Sequence, residues 1–416
     1  MNQSIVAAVI FVLVYVVILA GEHSPRKLDR PAAGLIGAVL MVLSGVLSRH
    51  DAINAIEFST IALLLGMMIV IHYANVSGLL ELMARKLVGL SRDPLQLLWI
   101  LGYTSGILSA LFVNDTICLL MTPLLLSMLR NSKLPAEPFL ICLATSSNVG
   151  SAMTITGNPQ NMLIGQASGL SWSSFALYLL PVGIVGLALN ILIVAMIYRN
   201  ELKDKKIDNS EPVMIHQFDK KLATKTIVIL IGLLIAFLFG VPMDLSAMTA
   251  AAIMLVAANR PPAESFEGVD WALLLFFAGL FIVVAGVSKS EIGLLNKYLP
   301  AILSDTQSFS GMMQFSGVSI LGSNLFGNVP FVMLVRDWVS HGNHAVMAWL
   351  LLASTSTFAG NLTLVGSVAN LIVAQGAKDE CPLSFVSFLK VGVLTTIVTT
   401  LLAVGVLFAY QHLHLL

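Results

Sequence analysis

Two short amide-bearing stretches, Val113-Asn114-Asp115-Thr116 and Gly327-Asn328-Val329-Pro330, interrupt otherwise apolar chain. Each is followed by a second polar interruption: Thr154, Thr156, Gly157, Asn158 and Asn161 in one half, with Asn148 ahead of them, and Asn361, Thr363, Gly366, Ser367 and Asn370 in the other. Small amides and hydroxyls can hold an ion or a polar solute without bringing a fixed charge into hydrocarbon. The chemistry they suit is binding. Their alternative duty is helix capping, since Asn, Asp, Ser and Thr are the usual N-cap residues. A sodium ion is a candidate ligand at Asn114, Gly157, Asn328 and Gly366.

Asp115 is the single acid that falls deep within an apolar region, and its counterpart in the second half is Val329, which cannot titrate. Desolvation favours the neutral form of a carboxylate, which makes Asp115 the candidate for proton coupling. Its alternative role is an ionised cap on the helix that follows. Other titratable residues carry less. A lone His72 on an apolar run reads as a packed residue, Cys118 as a small buried one, and Arg336-Asp337 as a local charge pair. His341, His344, His412 and His414 fall at the ends of runs and receive no chemistry. No clustered His, Asp or Glu provides a catalytic constellation, and the expectation is no enzyme, no catalytic residue and no cofactor beyond a coupling proton or sodium.

Elements that could position such residues are legible in the composition. Of 416 residues, 57% are hydrophobic and only 11% charged, which excludes a soluble domain. Apolar runs of about 17–25 residues suit a bilayer core about 30 Å thick. Such runs fall near 4–20, 31–48, 58–76, 94–112, 116–129, 138–155, 160–168 and 173–198, then near 226–240, 245–258, 271–288, 308–326, 330–338, 345–364, 367–376 and 383–410. The first lacks the basic start and cleavage site of a signal peptide and reads as a retained span. Cys118, Cys142 and Cys381 lack metal spacing and imply no disulfide framework. Zero net charge and the absence of basic blocks exclude nucleic acid as a partner; the lipid bilayer and a small solute are the partners expected.

The two series repeat. Glu57-Phe58 parallels Asp270-Trp271 and Gly66 parallels Gly279, Asn114 parallels Asn328, and TITGNPQNMLI (154–164) parallels TLVGSVANLIV (363–373). Each half, 1–198 and 226–416, holds one pair of runs too closely joined to be two spans, read as a re-entrant hairpin at 94–130 and at 308–338. Each also holds a span broken at its centre, at 138–168 and at 345–376, where Gly157 and Pro159 interrupt the first. Five spans plus one hairpin per half is an odd number of crossings, so the second copy inserts upside down relative to the first. The expected fold is all-α and polytopic, an inverted repeat of two five-helix units. Residues 199–225 form a cytoplasmic linker.

Loop charge orients this arrangement. With the N-terminus outside, 17 of the 22 Lys and Arg fall in cytoplasmic segments, and Arg49, Lys289, Lys297 and Arg336 fall outside. Both termini are then expected outside the inner (plasma) membrane. Segments 78–92 and 290–305 read as amphipathic helices lying in opposite interfaces.

These residues resemble the ion transporter superfamily, which includes ArsB-type arsenite-efflux permeases, silicic-acid efflux carriers, NhaD antiporters and dicarboxylate or citrate carriers. NDTICLLMTP (114–123) is similar to the first-hairpin motif of the arsenite and silicic-acid branch, and SNVGSAMTITGNPQNMLI (147–164) to its broken-helix motif. GNVPFVMLV (327–335) and AGNLTLVGSVANLIVA (359–374) resemble the second-repeat motifs, and KLDRPAAGLIGAVLMVLSG (27–45) an early segment of that branch. The resemblance implies ten spans, two hairpins, a homodimer, and a transport domain moving against a scaffold. It implies that the hairpin tips and helix breaks form the site. The tips here, Val-Asn-Asp and Gly-Asn-Val, depart from the Ser-Asn-Thr of the dicarboxylate carriers. The expected function is secondary active transport of a small inorganic anion or metalloid hydroxide, arsenite-like, by proton-coupled efflux. Sodium-coupled uptake of di- or tricarboxylates or other anions, and sodium/proton exchange, are the alternatives.

Overall fold

The computed structural model describes residues 3–20, 28–88, 93–132, 134–203, 218–290, 305–340 and 345–415, with Ser91, Lys205 and Leu303. Among these no strand occurs, and the helices follow the apolar runs. The first series is α1 (Gln3–Ala20), α2 (Arg30–Leu43), α3 (Arg49–Asn54), α4 (Phe58–Val76), α5 (Leu79–Val88), α6 (Pro94–Phe112), α7 (Asn114–Asn131), α8 (Ala136–Ser151), α9 (Pro159–Ser168), α10 (Trp172–Ile197) and α11 (Arg199–Leu202). The second is α12 (Lys220–Leu238), α13 (Met243–Ala257), α14 (Pro262–Glu267), α15 (Trp271–Lys289), α16 (Phe309–Phe326), α17 (Asn328–Ser340), α18 (Ala345–Ala359), α19 (Val368–Gly376) and α20 (Phe385–His412).

Side-chain caps set many of the starts. Asp29, Asp93, Ser171, Asp219, Asp270, Ser308 and Ser384 each accept a backbone N–H from the first turn of the helix they precede. By length and composition α4, α6, α10, α12, α15 and α20 suffice to cross a membrane, and α1, α2, α13 and α18 are shorter apolar helices.

Two tight helix crossings join the halves. Gly66 of α4 lies so close to α13 that an added Cβ would stand 2.6 Å from the Ala247 carbonyl carbon, and Gly279 of α15 so close to α2 that it would stand 2.5 Å from that of Gly34. These contacts are reciprocal. Gly66 and Gly279 correspond across the two series, and so do Gly34 and Ala247. Around this group packs a second one. α6 and α16 lie on α8 and α18, α7 on α19, α17 on α9, and the long helices α10 and α20 on each other.

Two expected boundaries shift. Asn114, Asp115 and Thr116 are not a loop; they form the first turn of α7, and Val113 alone makes the reversal from α6. α12 begins at Lys220 inside the segment read as linker, because Asp219 accepts the Leu222 N–H and starts the helix among charged residues. The amphipathic segment at 78–92 contains helix α5, whereas 291–302 lies outside the described residues. So do His341 and His344.

Candidate functional site

The reversal at each hairpin is made by one residue with positive φ: Val113 at +67° and Gly327 at +91°. A β-branched residue in that region is strained, at about 1–3 kcal/mol. Composition gave no sign of this, since only the second tip carries the expected glycine. Each tip then presents an amide: Asn114 is buried and Asn328 half-buried, and the side-chain oxygen of each is buried without a hydrogen-bond partner.

The broken spans have the same local design. A 3-10 turn, Ile155–Gly157 or Leu364–Gly366, separates α8 from α9 and α18 from α19. Gly157 folds back onto α8 so that a Cβ there would sit 2.1 Å from the Ser151 carbonyl oxygen; at Gly366 it would meet Gly360 oxygen at 3.0 Å. Asn161 bridges the first break, donating to the carbonyls of Ser151 (3.2 Å) and Thr154 (3.1 Å). Asn370 bridges the second, donating to Gly360 (2.7 Å) and Thr363 (3.1 Å). Thr154 donates to the Ala110 carbonyl at the end of α6, and Thr363 to Asn324 Oδ1 of α16 at 3.2 Å.

These pieces meet across the halves. Asn148 of α8 accepts from Ser367 at 3.0 Å and donates to Asn370 at 2.9 Å. Thr357 of α18 accepts from Asn158 at 3.2 Å and donates to Asn161 at 3.5 Å. Asn148, Ser367 and Asn370 correspond in order to Thr357, Asn158 and Asn161, so the contacts are reciprocal again. Asn148 also accepts from Asn114 (3.0 Å) and donates to Asn361 (2.9 Å). Thr156 accepts from the Trp172 indole N–H at 3.2 Å, and Trp172 stacks on Phe237 of α12.

The fifteen residues singled out in the sequence therefore gather at two tips and two breaks. Asp115 and Thr116 stand half-buried beside Asn114, and Arg30 and Asp270 are the charges acting on Asp115. Sequence reasoning missed Thr357, Asn190, and the pair Ser109 and Ser323. Asn190 joins α10 to Thr145, Ser146 and Thr395 through bonds of 2.8–3.0 Å. Ser109 and Ser323 occupy matching positions five residues before each tip amide, and both hydroxyls are buried without a partner. The same offset that pairs Asn114 with Asn328 would have found them.

Cys118, 3.0 Å from Ser147 Oγ, and Cys142 are buried thiols, and no disulfide forms among the described cysteines. Arg336 pairs with Asp337 at 3.5 Å as expected, and also donates to Glu57, the residue before α4, at 3.0 Å.

Helices interrupted at a shared polar centre, inside an all-helical apolar chain, define a membrane transporter. The family described as CitMHS, citrate transporter, matches residues 13–355, and the chain belongs to it. It is similar to the silicon efflux transporter LSI3 of Oryza sativa subsp. japonica, 30% identical with 91% of this chain and 92% of the relative covered. It is also similar to the putative transporter arsB of Dictyostelium discoideum, 26% identical with 96% and 91% covered. The Alcanivorax borkumensis YdaH transporter, reported to have an unusual topology, shares the fold at TM-score 0.59 and 12% identity, covering 99% of both chains.

Proposed function

We propose that this transporter moves a small metalloid hydroxide of the arsenite or silicic-acid kind out of the cell, driven by protons carried on Asp115. The observation that carries this reading is the composition of the convergent cluster: amides, hydroxyls and one carboxylate. A citrate-like anion would need compensating cations, and among the described residues Arg30 is the basic group that acts on Asp115. The names of the rice and Dictyostelium relatives point the same way. The family's own description favours a second reading, sodium-coupled carboxylate uptake, in which the tip oxygens of Asn114 and Asn328 would hold the cation.

In the proposed arrangement the reciprocal contacts reflect a two-fold axis in the membrane plane, which makes the halves inverted repeats with both termini outside. α2, α4, α13 and α15 would form the scaffold of a homodimer, and the hairpins with the broken spans would move against it. The deciding experiment is growth of an efflux-deficient host on arsenite, antimonite or germanate. Protection supports the reading; no protection, with sodium-dependent citrate uptake, would replace it with the second.

A further inference from the structure

One amide in the cluster has its hydrogen bonding complete, and its orientation follows from the backbone. Asn370 donates both Nδ2 hydrogens to main-chain carbonyls, of Gly360 and Thr363. A carbonyl oxygen only accepts, so Asn370 is fixed with Oδ1 towards Asn148. Asn361 is fixed in the same way by the Thr145 carbonyl at 3.2 Å. Asn148 must therefore turn its NH2 to those two oxygens, each at 2.9 Å. Its own oxygen is left to accept from Asn114 and Ser367, each at 3.0 Å. Asn114 is obliged to donate, and the atom left over on Asn114 is an oxygen. That oxygen is the buried one without a partner.

We propose that Asn148 is a positioning residue that sets the polarity of the first hairpin tip: it holds Asn114 with a carbonyl oxygen free, so that a hydrogen donor or a cation is accepted there and an oxyanion is refused. With two donors and two acceptors all engaged, Asn148 has no capacity left for a solute. The discrimination is physical, because an oxyanion against a buried acceptor leaves both unpaired, whereas each hydroxyl of a neutral metalloid acid can donate. The inference rests on the reading of this cluster as the solute site.

Two measurements test it. The first needs no solute: thermal unfolding of purified wild type, Asn148→Asp and Asn148→Leu between pH 5 and 8. An aspartate at 148 faces two fixed oxygens and can satisfy one of them only by keeping its proton. Its unfolding midpoint should fall as pH rises, by at least about 3 °C, while that of Asn148→Leu should follow wild type. The titratable neighbours, Asp115 and Cys118 on α7 with Arg30 and Asp270 acting from α2 and α15, are common to all three proteins and cancel in the comparison. Equal pH profiles for the two variants would overturn the polarity assignment.

The second measurement compares binding of arsenious acid with that of sulfate, an oxyanion that carries no hydroxyl hydrogen near neutral pH. Release of Asn114 in Asn148→Leu should narrow the preference for the neutral solute by about tenfold. An equal loss for both solutes, with the preference unchanged, would reduce Asn148 to a structural residue and overturn the proposal. Should Asn148→Asp not fold, this selectivity decides alone. If wild type binds neither arsenious nor silicic acid, the functional reading fails, while the pH comparison still decides the polarity.

Discussion

Val113 and Gly327 do the same work with different backbone freedom. Gly327 has open space around it, with only Pro330 atoms at 3.5–3.6 Å from an added Cβ, so Gly327→Ala tests conformation alone. Its φ of +91° should make that change cost about 1–3 kcal/mol. Gly157→Ala tests overlap instead, because its Cβ would lie 2.1 Å from the Ser151 oxygen. That backbone cannot yield without opening the break, and the loss should be larger, at about 3 kcal/mol or more. Thermal unfolding in detergent ranks the two; Gly327→Ala as the more damaging would contradict the overlap argument. The amides and glycines of both breaks were legible because apolar sequence makes polar letters conspicuous. Thr357 was not, since one hydroxyl in a run containing Ser354, Thr355 and Ser356 has nothing local to mark it.

Among the elements, α17 is tied to the start of α4 by Arg336, which contacts Glu57 at 3.0 Å and lies 6.0 Å from the Phe281 ring centre. This pair joins a hairpin to the proposed scaffold, and the two must part if they move against each other. With Cys381 replaced by Ser, linking Glu57→Cys to Arg336→Cys by a short bis-methanethiosulfonate, which joins the two thiols through disulfides, should stop flux, and reductant should restore it. Undiminished flux in the linked protein would mean that these elements stay together through the cycle. Helix positions followed directly from apolar length, and the hairpins from two runs with almost no chain between them. Their exact starts did not, because capping by Asp219 recruits Lys220 and Lys221 into a helix that hydropathy alone excludes. The Glu57 contact was equally hidden, since its partner lies 279 residues away.

For the whole molecule, the proposed orientation rests on charge asymmetry in the loops. An impermeant maleimide added to intact cells should label Arg49→Cys and leave Lys203→Cys untouched; the reverse pattern would invert the proposed orientation. Ion pairs and caps outside the spans set the acid limit. The Lys289 ammonium holds Asp51 below the usual carboxylate range, the Leu222 amide does so for Asp219, and Ser308 for Asp305. Depressed carboxylates contribute stability above their unfolded values and lose it as pH falls through the folded ones. The unfolding midpoint should thus hold down to about pH 4 and drop below it, by a small amount because these pairs are exposed. The repeat was the most legible large-scale feature, since the matching offsets were present in the letters. The reciprocal amide contacts were not, as they depend on which break faces which.

In the proposed function, movement of a small hydroxide through this cluster depends on protons carried by Asp115. The most direct test of this claim is arsenite flux in proteoliposomes under an imposed pH gradient, comparing wild type with Asp115→Asn. Flux should accelerate with the gradient in wild type, while the variant should remain folded and respond to it by less than about one tenth as much. A gradient response in Asp115→Asn equal to that of wild type would contradict the claim.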